Sequence, residues 1–207
     1  MKNASSKQLD QNFPSHVHEK ISKIMDVWRS KDQKVCSFAK TASIQCLPGC
    51  GRCCESPFVE TSALEMLPVV EQIIADNQVD YWINRYGSRS NKGTCLFYEP
   101  DDMVPGNGRC LKYAYRPLIC RLYGFVYRRN KNNIKNIITC KEIKRGLPDS
   151  VVSLSDTSKL YPKAVNIHES IMEIKSIDPH LSRQQIPINQ AFLSALNYLG
   201  LFLQIKR

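Results

Sequence analysis

The chain has 207 residues, enough for one domain with its own apolar core and no need of cross-links to fold. Its 43% apolar and 23% charged residues are ordinary for a globular protein, and neither an internal repeat nor a low-complexity tract interrupts them. The net charge of +10 is concentrated: Arg109 to Arg145 carries eleven Lys and Arg against Glu142 alone, while the remainder balances eighteen against eighteen. Met1 to Lys20 is polar and lacks the apolar run of a signal peptide, and no stretch reaches the roughly 18 apolar residues of a membrane span. The expectation is a cytoplasmic protein, where thiols stay reduced and clustered cysteines read as ligands before they read as disulfides.

In chain order, residues 1–13 are expected to be disordered. Val17, Ile21, Ile24, Met25 and Trp28 recur at helical spacing and predict an amphipathic helix over 15–30. His16 and His18, on its first turns, read as surface histidines, and Cys36 as a small apolar residue. These residues form an N-terminal segment, 1–45, ahead of a cysteine-rich segment, 46–145.

That segment opens with Cys46-Leu-Pro-Gly-Cys50-Gly-Arg-Cys53-Cys54, four of the nine cysteines within nine residues. So many thiols so close together serve a metal or a set of disulfides. Gly49 and Gly51 are expected to supply positive-φ turns around an ion, and Cys50 and Cys53 form a C-x2-C knuckle able to converge on one metal. The adjacent thiols of Cys53 and Cys54 are expected to point apart, so that two sites meet here or one thiol is spare.

Ser62-Ala-Leu-Glu65 has the form of a capping box and predicts a helix to about Asn77, kinked or delayed by Pro68. Val79 to Tyr86 predicts a helical turn ending at Gly87, Ser88 to Gly93 a polar loop, and Thr94 to Tyr98 a short strand holding Cys95. Pro105 to Gly108 makes a turn before Cys110. Leu122–Arg128 and Ile134–Thr139 read as strands joined through Asn130–Asn133, a hairpin that brings Cys120 and Cys140 together at its open end. The remaining 146–207 forms a helical extension, with helices over about 155–176 and 187–204, the last apolar nearly all round and read as a core or partner-docking helix. The fold class that results is α+β: a small cysteine-rich metal-binding module with a short β-hairpin, between an N-terminal helix and C-terminal helices.

Eight thiols could furnish two closed four-sulfur zinc sites. They could equally hold an iron–sulfur cubane through Cys46, Cys50 and Cys53 with a distant thiol such as Cys120, and the tight triple tips the reading toward that cluster. Arg116 and Arg121 flank Cys120 and suit compensation of a thiolate site from just outside it. The hairpin cations Arg128, Arg129, Lys131 and Lys135, with Tyr123 and Tyr127, would suit a phosphate backbone, but nucleic acid is the weaker reading. No other catalytic constellation is present.

The compound pattern Cys46-x3-Cys50-x2-Cys53-Cys54, an isolated Cys95, then Cys110, Tyr113, Arg116-Pro117 and Cys120-Arg121 resembles the YkgJ-type cysteine-cluster proteins of bacteria, a family named for zinc or iron chelation. The resemblance implies metal ligation by Cys46, Cys50, Cys53, Cys54, Cys95, Cys110 and Cys120, with Cys140 as the late family cysteine. Gly124 departs from the proline frequent after the Cys-Arg pair. Relatives include flagellin lysine N-methylases, so a cluster-dependent enzyme such as a protein-lysine N-methylase is the alternative to a structural or redox-sensing metal protein. An unidentified protein partner or substrate goes with either. No S-adenosylmethionine fingerprint is visible.

Overall fold

The first element, α1 (Ser15–Ala42), belongs to a computed structural model that describes residues 13–89, 93–145 and 163–205. Its inward stripe is Val17, Ile21, Ile24, Trp28, Lys31, Val35, Phe38 and Ala42, in alternating steps of four and three that keep one seam on one face. The helix predicted to stop at 30 therefore runs twelve residues further, to Ala42. The polar run Lys31–Lys34 hides the seam. Lys31 holds a stripe position with its ammonium ion-paired to Glu173, and Phe38 resumes the apolar pattern. Ser43, at φ 53°, ends the helix by returning its N–H to Ala39 and Lys40 carbonyls. Phe13 is buried against this core, contrary to the disorder expected there; residues 1–12 lie outside the described part.

β1 (Glu60–Thr61) leads into α2 (Ala63–Ala75), which Ser62 caps by accepting the Glu65 N–H at 3.4 Å. The helix starts before Pro68 and continues through it. It is buried on nearly every side, by Leu64, Met66, Leu67, Val69, Val70 and Ile73 among others. α3 (Val79–Arg89) sets Trp82 in the core against Phe97, ring centroids 5.1 Å apart. The loop expected over 88–93 is helical to Arg89, and 90–92 lie outside the described residues.

The strand expected at Thr94–Tyr98 begins only at its last residue, as β2 (Tyr98–Pro100) paired with β3 (Gly108–Cys110). Cys95 to Tyr98 is a turn closed by the Tyr98 N–H on the Cys95 carbonyl at 3.1 Å; the apolar run there fills the core and not a sheet face. α4 (Leu118–Leu122) replaces the start of the next expected strand. The hairpin itself is present, β4 (Val126–Arg129) against β5 (Lys135–Ile138), with Asn133 in the left-handed region at φ 60°. Cys140 then precedes α5 (Lys141–Arg145).

β6 (Val165–Asn166) adds to β4 in parallel and runs straight into α6 (Ile167–Ile177), whose Asn166 side chain caps it. Of the helix expected over about 155–176, the part from Ile167 is helical and 163–166 is not, while 155–162 lie outside the described residues. β7 (Ile186–Pro187) pairs with β1, and α7 (Ile188–Ile205) packs along α2. Helices on either side of short antiparallel and mixed strands make an α+β fold. One apolar cluster joins Val17 and Trp28 of α1, Leu67 and Ile73 of α2, Leu96, Leu118 of α4 and Phe192 of α7. Among the described residues no helix is long and apolar enough to cross a membrane.

Phe192 is fully buried and meets Phe97 edge-on at 5.8 Å. Phe192→Ala should cost about 3–5 kcal/mol in urea unfolding; a loss under about 1 kcal/mol would mean that α7 is not part of the core.

Candidate metal centre

The cysteine loop is built as a tight wrap. The Cys50 N–H bonds the Leu47 carbonyl at 3.1 Å across Pro48 and Gly49, and Gly49 has the positive φ, 74°, expected of it. Gly51 does not: its φ is −110°. It is glycine for room. A β-carbon there would stand 2.2 Å from the Tyr98 ring, and one on Gly108 2.4 Å from the same ring. The Tyr98 hydroxyl donates to the Asn107 carbonyl at 2.6 Å. Gly51 N–H to Gly106 O (2.9 Å) and Gly108 N–H to Gly49 O (2.7 Å) then lace the cysteine loop to the β2–β3 connection.

The remaining cysteines arrive from separate elements. The Cys95 N–H bonds the Cys54 carbonyl at 2.9 Å. Cys110 pairs across the ladder with Tyr98. Cys120 sits in α4, and the Cys140 sulfur accepts the Ile143 N–H at 3.3 Å at the start of α5. Arg52, beside Cys53, reaches Glu142 of α5 at 3.5 Å and draws that helix to the loop. Cys46 is exposed, Cys95 is buried, and the other six of these eight are half-buried. Cys36 stands apart, exposed on α1, and is no core residue; it lines a cleft of about 530 Å³ with Lys40, Ile44, Leu47 and Glu142.

The thiols perturb one another. Burial pushes the Cys46 thiol up, and the charges of Cys50, Cys53 and Cys140 push it further. Burial raises Cys120 well above the usual thiol range, aided by Cys95, Cys53 and Cys110. Cys95 is pushed up to about 12, chiefly by burial, with Cys110 and Cys53 adding. Cys53 and Cys54 do not point apart as expected; their side chains share a hydrogen bond that lowers Cys53 to about 6 and raises Cys54. Cys53 is the common neighbour: it acts on Cys46 alongside Cys50 and Cys140, and also on Cys54, Cys95, Cys110 and Cys120. Cys54, Cys95, Cys110 and Cys120 alone among the eight pack against the main apolar core.

The two arginines divide the work. Arg116 lies near enough to favour the thiolates of Cys46, Cys53, Cys110 and Cys120, and it stacks on Tyr113 at 3.5 Å. Arg121 spends its donors on oxygen. Its Nε donates to Arg116 O at 2.7 Å, its two Nη groups reach Asp32 of α1 and Ala114 O, and its guanidinium lies over Trp28 at 4.5 Å. It is a structural clamp, and it also lies within electrostatic reach of Cys120.

Sequence reasoning missed three buried or half-buried polar side chains that hold the cysteine segments. Glu65 does not close its capping box; its carboxylate accepts the Leu118 N–H of α4 at 2.6 Å and the Thr61 hydroxyl at 3.0 Å. Burial pushes this carboxyl up. Arg85 donates to Leu96 O and Tyr98 O, both at 2.7 Å. Asn189 of α7 donates to Thr94 O and accepts the Leu96 N–H, both at 2.9 Å.

Among the described residues no group of three or more His, Cys, Asp or Glu side chains is arranged to hold a metal ion. The donor chemistry fits one nonetheless: eight thiols from one loop and four further elements, drawn together without a disulfide and faced by Arg116. Residues 45–142 match the family model CxxCxxCC, "Putative zinc- or iron-chelating domain". The matched segment is just under half of the chain. Its first spacing is one residue longer than the family name states, Cys46-x3-Cys50, and the Pro48-Gly49 turn absorbs the extra residue. Gly124, the departure from the family pattern, has φ 94° and would bring a β-carbon to 2.9 Å from Ile143, so proline does not fit. No curated protein and no solved structure matches the chain.

Two outcomes are expected. Gly51→Ala should lower stability by about 1–3 kcal/mol through overpacking on Tyr98, whereas Gly87→Ala, mid-helix with open space, should raise it by up to about 1 kcal/mol; equal shifts in thermal melts would refute the steric account. In reduced, metal-free protein, Cys53 should alkylate as its thiolate forms on raising the pH through about 6, ahead of the raised Cys46, Cys95 and Cys110. Peptide mapping after brief iodoacetamide treatment at pH 6.5 reads this, and label on Cys46 or Cys110 before Cys53 would contradict it.

Proposed function

We propose that this is a metal protein with two adjacent thiolate centres. The outer one is held by Cys46, Cys50, Cys53 and Cys140, the inner one by Cys54, Cys95, Cys110 and Cys120. The packing of Cys54, Cys95, Cys110 and Cys120 on the main apolar core, with the other four thiols off it and Cys53 the electrostatic neighbour of both sets, carries this reading.

The outer set takes three ligands from one short loop and one from afar, the arrangement that suits an iron–sulfur cubane. Cys140, and not Cys120, is its distant member. Cys46 is exposed, so this centre meets solvent and suits redox sensing. The inner set takes its four ligands from four segments tied to the apolar core, and suits a closed zinc site that supplies folding free energy. Bound iron–sulfur would supply a one-electron couple and bound zinc a fixed charge. The chain's own part is to orient the sulfurs and to offset charge: Arg116 compensates the formal charge of about −2 that four thiolates leave on one Zn²⁺. The surrounding stretch 109–145 contributes one acid, Glu142, itself paired with Arg52 and Arg145. Among the described residues no feature favours a methyltransferase.

Metal and acid-labile sulfide analysis of anaerobically purified protein tests it. Wild type should hold iron, sulfide and zinc. Cys140→Ser should lose iron and sulfide and keep zinc; Cys120→Ser should lose zinc and melt lower; Cys36→Ser should change neither. Unaltered content in both ligand variants would refute the assignment, and zinc alone at about two per chain would give both centres to zinc.

A further inference from the structure

The inner thiols sit on elements too short to hold themselves. α4, which carries Cys120, is five residues long, and Cys95 lies in a turn between Thr94 and Leu96. A helix of one turn has no stability of its own in water. Each is instead gripped by one buried polar side chain from a long helix. Glu65 of α2 is 5% exposed, and its carboxylate accepts the first N–H of α4 at 2.6 Å, the favourable place for an anion at a helix start. Asn189 of α7 is 9% exposed, and its amide holds the backbone on both sides of Cys95 at 2.9 Å. Both side chains join segments more than fifty residues apart, so neither bond serves local secondary structure. A carboxylate and an amide in an apolar core cost free energy unless they are fully used. Thr61 and Leu118 use Glu65; Thr94 and Leu96 use both ends of Asn189.

We propose that Glu65 and Asn189 are positioning residues of the inner centre, fixing the backbone of Cys120 and Cys95 so that their sulfurs close on one metal with Cys54 and Cys110. This rests on the two-centre reading above. Neither side chain touches the metal. Each removes backbone freedom that ligation would otherwise have to freeze, and supports of this kind are worth about 10–100-fold in metal affinity.

Cobalt(II) titration of metal-free, reduced full-length protein, followed by the thiolate-to-cobalt charge-transfer bands, tests the assignment. The equivalent abolished by Cys120→Ser is the inner site and the one abolished by Cys140→Ser the outer. Glu65→Ala and Asn189→Ala should each weaken the inner equivalent about 10–100-fold and leave the outer one unchanged. Glu65→Gln, which keeps an acceptor for the Leu118 N–H, should restore affinity toward wild type. Unchanged inner affinity in variants with wild-type helical circular dichroism would overturn the proposal, as would an equal fall at both sites, which marks a general loss of stability. Should Glu65→Ala fail to fold, Asn189→Ala and Glu65→Gln decide between the same outcomes. A wild-type chain with no Cys120-dependent cobalt band would instead remove the two-centre reading itself.

Discussion

The arrangement of the thiols depends on an aromatic ring with no space above or below it. Tyr98 fills the volume that β-carbons on Gly51 and Gly108 would occupy, and its hydroxyl fixes the Asn107 carbonyl. Three stretches that have no regular structure in common, the cysteine loop, the Cys95 turn and the 101–108 connection, are stacked into one unit by that side chain. The ring supplies apolar contact, the two glycines supply proximity, and the backbone bonds between loops follow from the proximity. A disulfide would hold the loops equally well but would consume the thiols.

Around this unit, polar side chains do what a larger sheet would do in a bigger domain. Arg85, Glu65, Asn189 and Arg121 each meet backbone groups in turns that no ladder satisfies. The result is a set of irregular segments with their hydrogen-bonding groups used by donors and acceptors on helices. Such groups are expensive in a core when half-used and rigidifying when fully used. Arg116 and Arg121 lie five residues apart, the first ahead of α4 and near four of the thiols, the second within α4 and holding carbonyls, Asp32 and the Trp28 face beside Cys120.

What could be read from the sequence follows the range of the interactions concerned. The hairpin around Asn130–Asn133, the Ser62 cap and the apolar α7 are written in neighbours a few residues apart, and all three are present. The length of α1 was hidden because Lys31, a stripe residue, finds its partner 142 positions away in Glu173. Glu65 looked like the far half of a capping box, but its carboxylate is used by Leu118, 53 residues on. Gly51 looked like a turn glycine and is instead a contact glycine, a distinction that only the Tyr98 ring makes. Leu96 and Phe97 looked like a strand because a buried turn and a buried strand have the same composition. Spacing placed the cysteines near one another; it held no information on which of them pack against the apolar core.

The boundaries of the matched family segment and of the packing unit do not coincide. α2 lies inside residues 45–142, yet it is covered by α7 and α1 from outside them, as are the groups that Asn189 and Asp32 hold. The matched segment is therefore not a portable cassette. Transplanted alone, it would carry a helix apolar on nearly every side into water and leave its turns without their anchors.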